Sequence, residues 1–389
     1  MNDRAVLGPA DVPDADLAAM VADWLGCDRS HVELVHSSAE VVPYDLEAIT
    51  TAGRYWVSGT VRTAQGMVAF EFFVKHVQCW SRSEAFSQVP PQFQAMAEAG
   101  VPWYTEPLIY RSDLARRLPG GLSVPRAVAV RDLDAKSATI WLEKVPTIER
   151  PWTVDQLARA AYLLGRLAAS PAVRELAGIG ERERSWPVRT YVEGRLGVQV
   201  LPLLRAEQLW HHPLIAGAFD ANLRARLLAA ADRLPEYLAE IEQVPLATAH
   251  GDACTNNLLA TSDSDDLVLI DYGFWGSKPL GFDLSQLILG DVQLGRRSAS
   301  SLTELDTAVL PAYVEGLQAE GCEIDPAVIR RTHALCMLIF SGLSAVPMEH
   351  LDQQPTARLH EITAERARTA TFILDLVDAT DPALGQIST

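Results

Sequence analysis

Four residues of this chain have the types and spacing for shared chemistry. Asp252 and Asn257 lie in His250–Asn257 (HGDACTNN), Asp271 lies in Ile270–Gly273 (IDYG), and Lys75 ends the apolar run Phe72–Val74. An aspartate with an ordinary pKa of about 3.9 is ionised at neutral pH and can accept the proton of a hydroxyl. Carboxylate and amide oxygens suit Mg²⁺, which keeps several waters and needs few protein ligands. A lysine ending a strand can grip anionic oxygens, or hold its head in water as edge-strand lysines do. The plainer reading of 250–257 is a polar turn between a strand and a hairpin, and it leaves the paired IDYG unexplained.

HGDACTNN, then IDYG, then GFDL at 281–284, resembles the catalytic loop and metal-binding turn of the aminoglycoside phosphotransferase and choline kinase group. The resemblance implies transfer of the γ-phosphate of ATP or GTP to a hydroxyl of a small molecule, with Mg²⁺ on the phosphates. It implies Asp252 as the base, Asn257 and Asp271 as metal ligands, and Lys75 as the grip on the α- and β-phosphates. His250 becomes a buried loop organiser. Asp283 becomes a brace for the catalytic loop or a helix N-cap, two compatible roles. Gly251 stands where protein kinases have the arginine of H-R-D, Tyr272 stands for the phenylalanine of D-F-G, and no A-P-E follows. These departures argue against a phosphorylated activation loop and a protein substrate.

The surrounding elements must position these residues. Leu17, Met20, Val21, Trp24 and Leu25 make one apolar stripe, which predicts a helix over 14–25. Arg54–Val61 and Met67–Val77 read as strands about a turn at 63–66, with Glu71, Phe73 and Lys75 on one face. Ile49–Gly53 (ITTAG) would be a loop over the phosphates, with the Thr50 and Thr51 hydroxyls available, or an ordinary hairpin turn. A glutamate should pair with Lys75. Glu106, heading a helix through EPLIYRSDLARRL, is preferred to Glu84, which sits near the helix-breaking Pro90 and Pro91, although Pro107 disfavours helical geometry at Glu106. Ser123–Val130, a turn at 132–137 and Thr139–Leu142 form a second hairpin. WLEKVP then reads as a hinge, where the resemblance puts the Glu143 C=O and Val145 N–H on the nucleotide base.

From residue 151 the pattern turns helical. Thr153 and Gln156 have capping-box spacing, a helical region with Trp186 and Tyr191 follows, and a long helix should run from near Asp220 to Glu242. Residues 170–220 are the candidate insertion shaping the acceptor pocket. Residues 301–378 read as mostly helical, with breaks near 321–326 and 347–355, and the last ten should fray. The expected fold is α+β and two-lobed, like a protein kinase. An antiparallel β-sheet N-lobe with one main helix covers 1–145, the hinge lies at about 142–147, and a mostly helical C-lobe covers 148–389.

Composition narrows the partners. The net charge of −17, from 50 acidic and 33 basic residues, disfavours nucleic acid. It suits a cationic acceptor such as an amino sugar, or simply a solubilising surface. No run approaches the roughly 20 apolar residues that span a bilayer, and no basic and apolar leader opens the chain. Five scattered cysteines without a C-x-x-C pair suggest neither disulfides nor zinc, and Cys254 reads as a small buried filler. The expectation is a cytoplasmic monomer or homodimer acting on a small molecule, without nucleic-acid or membrane partners.

Overall fold

The computed structural model describes residues 2–43, 49–147, 151–180, 188–261 and 266–382. Trp186 and most of the last ten residues lie outside them. Two compact units emerge: Met1–Arg117 with Leu122–Ile148 and Ala260–Phe274, and Leu118–Gly121 with Glu149–Leu259 and Trp275–Thr389.

The first unit carries strands β1 (Asn2–Asp3), β2 (Glu33–Val41), β3 (Thr51–Thr63), β4 (Gly66–Gln78), β5 (Leu122–Ser123), β6 (Ala127–Asp134) and β7 (Ser137–Glu143). Six of them make one sheet in the order β1-β2-β3-β4-β7-β6. Its pairs are antiparallel except for β1 with β2. The short β5 pairs in parallel with Leu267–Leu269. Alternation along β4 sends Phe70, Phe72 and Val74 to one face, where they join Leu17, Met20 and Val21 of α1 (Asp14–Leu25) in a single core. The opposite face carries Phe73, Lys75 and Val77, and there Val77, Ile140 and Leu142 cluster with Tyr104 and Tyr110.

Local chemistry revises several expectations here. Pro91 does not break the chain but opens α2 (Pro91–Gly100), where a missing N–H costs nothing. The helix expected through EPLIYRSDLARRL stops early. α3 (Thr105–Arg111) ends where Ser112 turns extended and its hydroxyl bonds the Ile109 carbonyl at 2.7 Å, and a single turn, Leu114–Arg117, follows. Pro107 lies in the first turn of α3, which tolerates proline, so Glu106 is helical after all. The expected strand 123–130 divides into β5 and β6 around Pro125, which has no N–H for a ladder. Thr51–Gly53, expected in a loop, opens β3, because Thr51 pairs with Val77 and Gly53 with His76.

The second unit is helical. Its first helix, α4 (Val154–Ala169), starts from a complete capping box: Thr153 N–H to Gln156 Oε1 at 3.0 Å and Gln156 N–H to Thr153 Oγ1 at 3.2 Å. The helix expected from 220 to 242 is two, α5 (Ala221–Asp232) and α6 (Leu234–Glu242), because Arg233 leaves helical geometry and Pro235 removes a ladder N–H. Then come α7 (Phe282–Gln293), α8 (Leu302–Ala319), α9 (Pro326–Met337) and α10 (Ala357–Ala379). The breaks near 321–326 and 347–355 fall between α8 and α9 and between α9 and α10. A two-stranded ribbon, Leu246–Ala249 with Gly276–Pro279, flanks the HGD segment. Among the described residues no helix is long and apolar enough to cross a membrane.

Two glycines set the crossing of α4 and α8. A Cβ on Gly165 would stand 2.2 Å from the Tyr313 carbonyl oxygen, and one on Gly316 would stand 2.0 Å from that of Tyr162. This close approach seats Tyr313, whose hydroxyl accepts the Gly281 N–H at 3.1 Å at the start of α7. Gly316→Ala should therefore overpack the crossing and cost about 1–3 kcal/mol in urea unfolding. Gly178→Ala, at a position with nothing within 4 Å of the added Cβ, should stay within about 0.5 kcal/mol.

Candidate active site

In the sheet unit the chemistry centres on Lys75. β4 carries it opposite Arg54 on β3 and Ile140 on β7. The ammonium is buried and reaches two carboxylates, Glu106 Oε2 at 2.6 Å and Asp271 Oδ1 at 3.0 Å. Glu84 lies outside this set and opens a short 3₁₀ turn, Glu84–Gln88. Burial alone would lower the Lys75 pKa, but Asp271 and Glu106 together hold it above the ordinary lysine value. Burial also raises Glu106, with Asp271 adding repulsion that Lys75 only partly offsets. One ammonium thus serves two carboxylates, Glu106 buried and Asp271 with a third of its side chain exposed.

The turn that presents Asp271 is strained. Among the described residues Asp271 is the non-glycine residue with positive φ, at 62°, a region aspartate tolerates better than most side chains. Tyr272 anchors the turn, donating its hydroxyl to the Leu269 carbonyl at 3.0 Å. Its ring meets Tyr110 edge-on, with centroids 5.5 Å apart. Tyr110 lies one helical turn after Glu106 on α3, so one aromatic contact ties the two carboxylates' supports together.

The remaining nucleotide candidates also fall in this unit. Thr50 lies in a turn and its carbonyl accepts the Gln78 N–H at 2.9 Å, while Thr51 opens β3. Glu143 ends β7, and its side chain accepts the Arg126 N–H at 2.9 Å. Val145 follows in irregular chain. Lys144 between them pairs with Glu71 at 2.7 Å and covers the Trp56 ring. A cavity of about 750 Å³ lined by Trp24, Phe70, Glu71, Glu143 and Lys144 opens here, and Lys75 is not among its walls.

In the helical unit the strand Leu246–Ala249 delivers the chain to a fully buried His250. The His250 and Gly251 N–H groups both point at Asp283 on α7, each bond 2.8 Å long. Gly251 makes the turn at φ 85°, where a side chain would strain the backbone. His250 Nδ1 accepts the Asp252 N–H at 3.3 Å, so the imidazole organises the loop. Burial raises the Asp283 carboxyl above its ordinary value, opposed by His250 and the two N–H bonds. The N-cap alternative for Asp283 is corrected: Gly281 caps α7 and Asp283 lies one residue inside.

Asp252 is half-buried. The Asn257 amide donates to its backbone carbonyl at 2.8 Å and to its Oδ2 at 3.0 Å. The amide nitrogen is thereby committed, and the amide oxygen of Asn257 is the end suited to a cation. Cys254 is half-buried rather than buried, and sits where a Cβ on Gly290 would come within 2.8 Å of its own Cβ. The sequence reading missed Thr255 and Asp291, which form a buried 2.6 Å hydrogen bond behind the loop. Their only trace in the sequence is the short spacing of Asp291 after Asp283 on the same helix.

The model of the phosphotransferase enzyme family matches residues 109–330, more than half of the chain. The chain belongs to the phosphotransferase enzyme family. Its fold is α+β, with one unit built on a largely antiparallel sheet and the other mostly helical. Comparison with curated protein sequences finds no significant match. Similar solved structures include an aminoglycoside phosphotransferase from Alicyclobacillus acidocaldarius, at 15% identity over 83% of this chain and 90% of that one, TM-score 0.46. Choline kinase from Cryptosporidium parvum shares 13% identity over 96% of each chain, TM-score 0.44. Amicoumacin kinase in complex with AMP-PNP and Ca²⁺ shares 14% over 90% and 92%, TM-score 0.44.

In this phosphotransferase, Asp283→Ala would leave two inward N–H donors without their acceptor, each worth about 1–3 kcal/mol. Urea unfolding should register that loss, and Asp283→Asn, which keeps one acceptor oxygen, should lose less.

Proposed function

We propose that the protein moves the γ-phosphate of ATP or GTP to a hydroxyl of a small molecule, an amino sugar or aminoglycoside-like antibiotic being the first choice. The observation that carries this reading is the Asp252–Asn257 pair: a half-buried carboxylate oriented by an amide, on a loop pinned by Asp283. A chain that only bound nucleotide would have no need of an oriented base. A sugar or a choline-like alcohol is the alternative acceptor. The net charge of −17 favours a cation. The free cysteines suit a cytoplasmic enzyme, working as a monomer or homodimer.

The residues divide the work. Asp252 takes the proton of the acceptor hydroxyl as its oxygen bonds to the γ-phosphorus and the nucleoside diphosphate leaves. Lys75 holds the α- and β-phosphates, kept in place by Glu106. Thr50, Thr51, Glu143 and Val145 meet the rest of the nucleotide, and His250 with Asp283 fixes the loop. Asn257 and Asp271 would be the residues that hold Mg²⁺. The donor set fits that ion. Asp271 shares Lys75 with Glu106 and keeps a third of its side chain exposed, Asn257 has its oxygen end to offer, and both are hard oxygen donors. Mg²⁺, when bound, neutralises charge on the phosphates. Among the described residues no cluster of three or more His, Cys, Asp or Glu makes a protein-only cage, in keeping with an ion completed by water and phosphate.

The test is release of ADP or GDP against aminoglycosides, amino sugars, neutral sugars and amino alcohols. Asp252→Ala should lower turnover by about 10²–10⁴ while nucleotide still binds; near-normal turnover would refute the base assignment. Lys75→Met should instead raise the nucleotide KM through lost phosphate contacts, and an unchanged KM would remove Lys75 from the nucleotide site.

A further inference from the structure

The loop His250–Asn257 is held at its far end as well as at its start. Thr255 is buried, and its hydroxyl donates to Asp291 Oδ1 at 2.6 Å. Asp291 lies on α7, eight residues beyond Asp283, and is itself more than nine-tenths buried. Between them, Gly290 stands on the same face as Asp283, seven residues along. The absence of a side chain there lets Cys254 approach to where a Cβ would be 2.8 Å away. The helix therefore touches the loop at both ends and in the middle.

The end of α7 adds a third contact. Gly295, at φ 68°, donates its N–H to Val292, and the Arg296 N–H bonds the Asp291 carbonyl at 2.9 Å. This pair of bonds is a Schellman turn, and it folds Arg296 back toward the loop. The Arg296 guanidinium donates to the Asn256 side chain and stands 3.9 Å from the Asp291 carboxylate. Thr255 and Asn256, the two residues immediately before Asn257, are thus fastened to the last turn of α7 and to the Schellman turn that follows it. A satisfied buried pair would explain Thr255 and Asp291 alone. It would not explain a glycine opening for the loop and a cation delivered to the next residue.

We propose that Thr255, Asp291 and Arg296 form a second clamp that positions Asn257, and through it Asp252, for the divalent cation that accompanies the nucleotide. This inference rests on the metal-ligand reading of Asn257 above. These are positioning residues: none need touch the substrate. Asp283 fixes where the loop begins, and the clamp fixes where it ends, so the six residues from Asp252 to Asn257 span a set distance. The Asn257 amide, bonded to Asp252 at 3.0 Å, transmits any slack at Thr255 to the base.

The experiment titrates Mn²⁺ against the full chain saturated with AMP-PNP, and in parallel with GMP-PNP, following bound Mn²⁺ by electron paramagnetic resonance. Thr255→Val, which keeps the shape and removes the donor, should weaken Mn²⁺ binding by about 10–100-fold, as outer-shell partners of a metal ligand typically do. Thr255→Ser, which restores the hydroxyl, should recover most of that loss, a rescue that a purely packing role would not give. Wild-type Mn²⁺ affinity in Thr255→Val would overturn the clamp whatever its thermal stability. Should that variant not fold, Asp291→Ala, which removes the acceptor of the Thr255 hydroxyl, decides: weaker Mn²⁺ binding supports the clamp, unchanged binding overturns it. A wild-type protein that binds neither analogue nor Mn²⁺ would overturn the nucleotide reading and the clamp with it. Normal binding by both wild type and Thr255→Val overturns the clamp alone.

Discussion

Backbone N–H groups turned into a protein interior must be given acceptors, and the two that open the His250–Asn257 loop receive theirs from the single carboxylate of Asp283. Much of the helical unit can be read as support for that carboxylate. Asp283 sits in the first turn of α7, and the Gly281 N–H that begins the helix is held by the hydroxyl of Tyr313 on α8. Tyr313 is in place because α8 lies backbone to backbone with α4 through Gly165 and Gly316. α8 is tied onward to α9 by the buried Asp306–His333 contact at 3.1 Å. α9 in turn is tied to α6 by Arg331, which grips Glu240 at 2.8 Å. The half-buried aspartate of the loop therefore draws its rigidity from the helix crossings behind it.

The sheet unit solves a different problem, which is to keep a cation inside. A buried ammonium is costly unless it is paired and hydrogen-bonded. Lys75 is given two carboxylates, on α3 and on the turn after Leu267–Leu269. Those two carboxylates hold the ammonium charged where burial alone would discharge it, and the Arg54 charge also acts on Glu106. The backbone at Asp271 is under a constraint of its own. A non-glycine residue in left-handed geometry persists only where its surroundings impose it, and here the buried Tyr272 and its contact with Tyr110 do so.

What the sequence made legible followed from how local each signal was. HGDACTNN and IDYG announced Asp252, Asn257 and Asp271 because loop geometry of this kind is encoded within a few residues. The alternation along β4 gave the face of Lys75, and the Thr153–Gln156 box gave the start of α4. The errors arose where proline or serine chemistry depends on position within an element. Pro91 and Pro107 look alike in sequence to breakers, yet both sit in first turns. Pro235 came with a real break. Glu106 was preferred over Glu84 on connectivity, and the decisive fact, its distance to Lys75, belongs to tertiary structure.

Thr255, Asp291, Tyr110 and the glycines of α4 and α8 were not legible for a related reason. Each is an ordinary residue for its element: a threonine in a turn, an aspartate and a tyrosine on helices, glycines in helical runs. Their meaning is relational, set by what lies across a crossing or behind a loop. The acidic composition is ambiguous in the same way. Many carboxylates of the helical unit are engaged by arginines, among them Glu320 with Arg166, Asp375 and Asp378 with Arg226, and Glu349 with Arg366. A net charge summed over the sequence counts these alongside carboxylates that could face an acceptor. Substrate charge must therefore be argued from which carboxylates the helices leave uncommitted, and that depends on packing that the composition does not record.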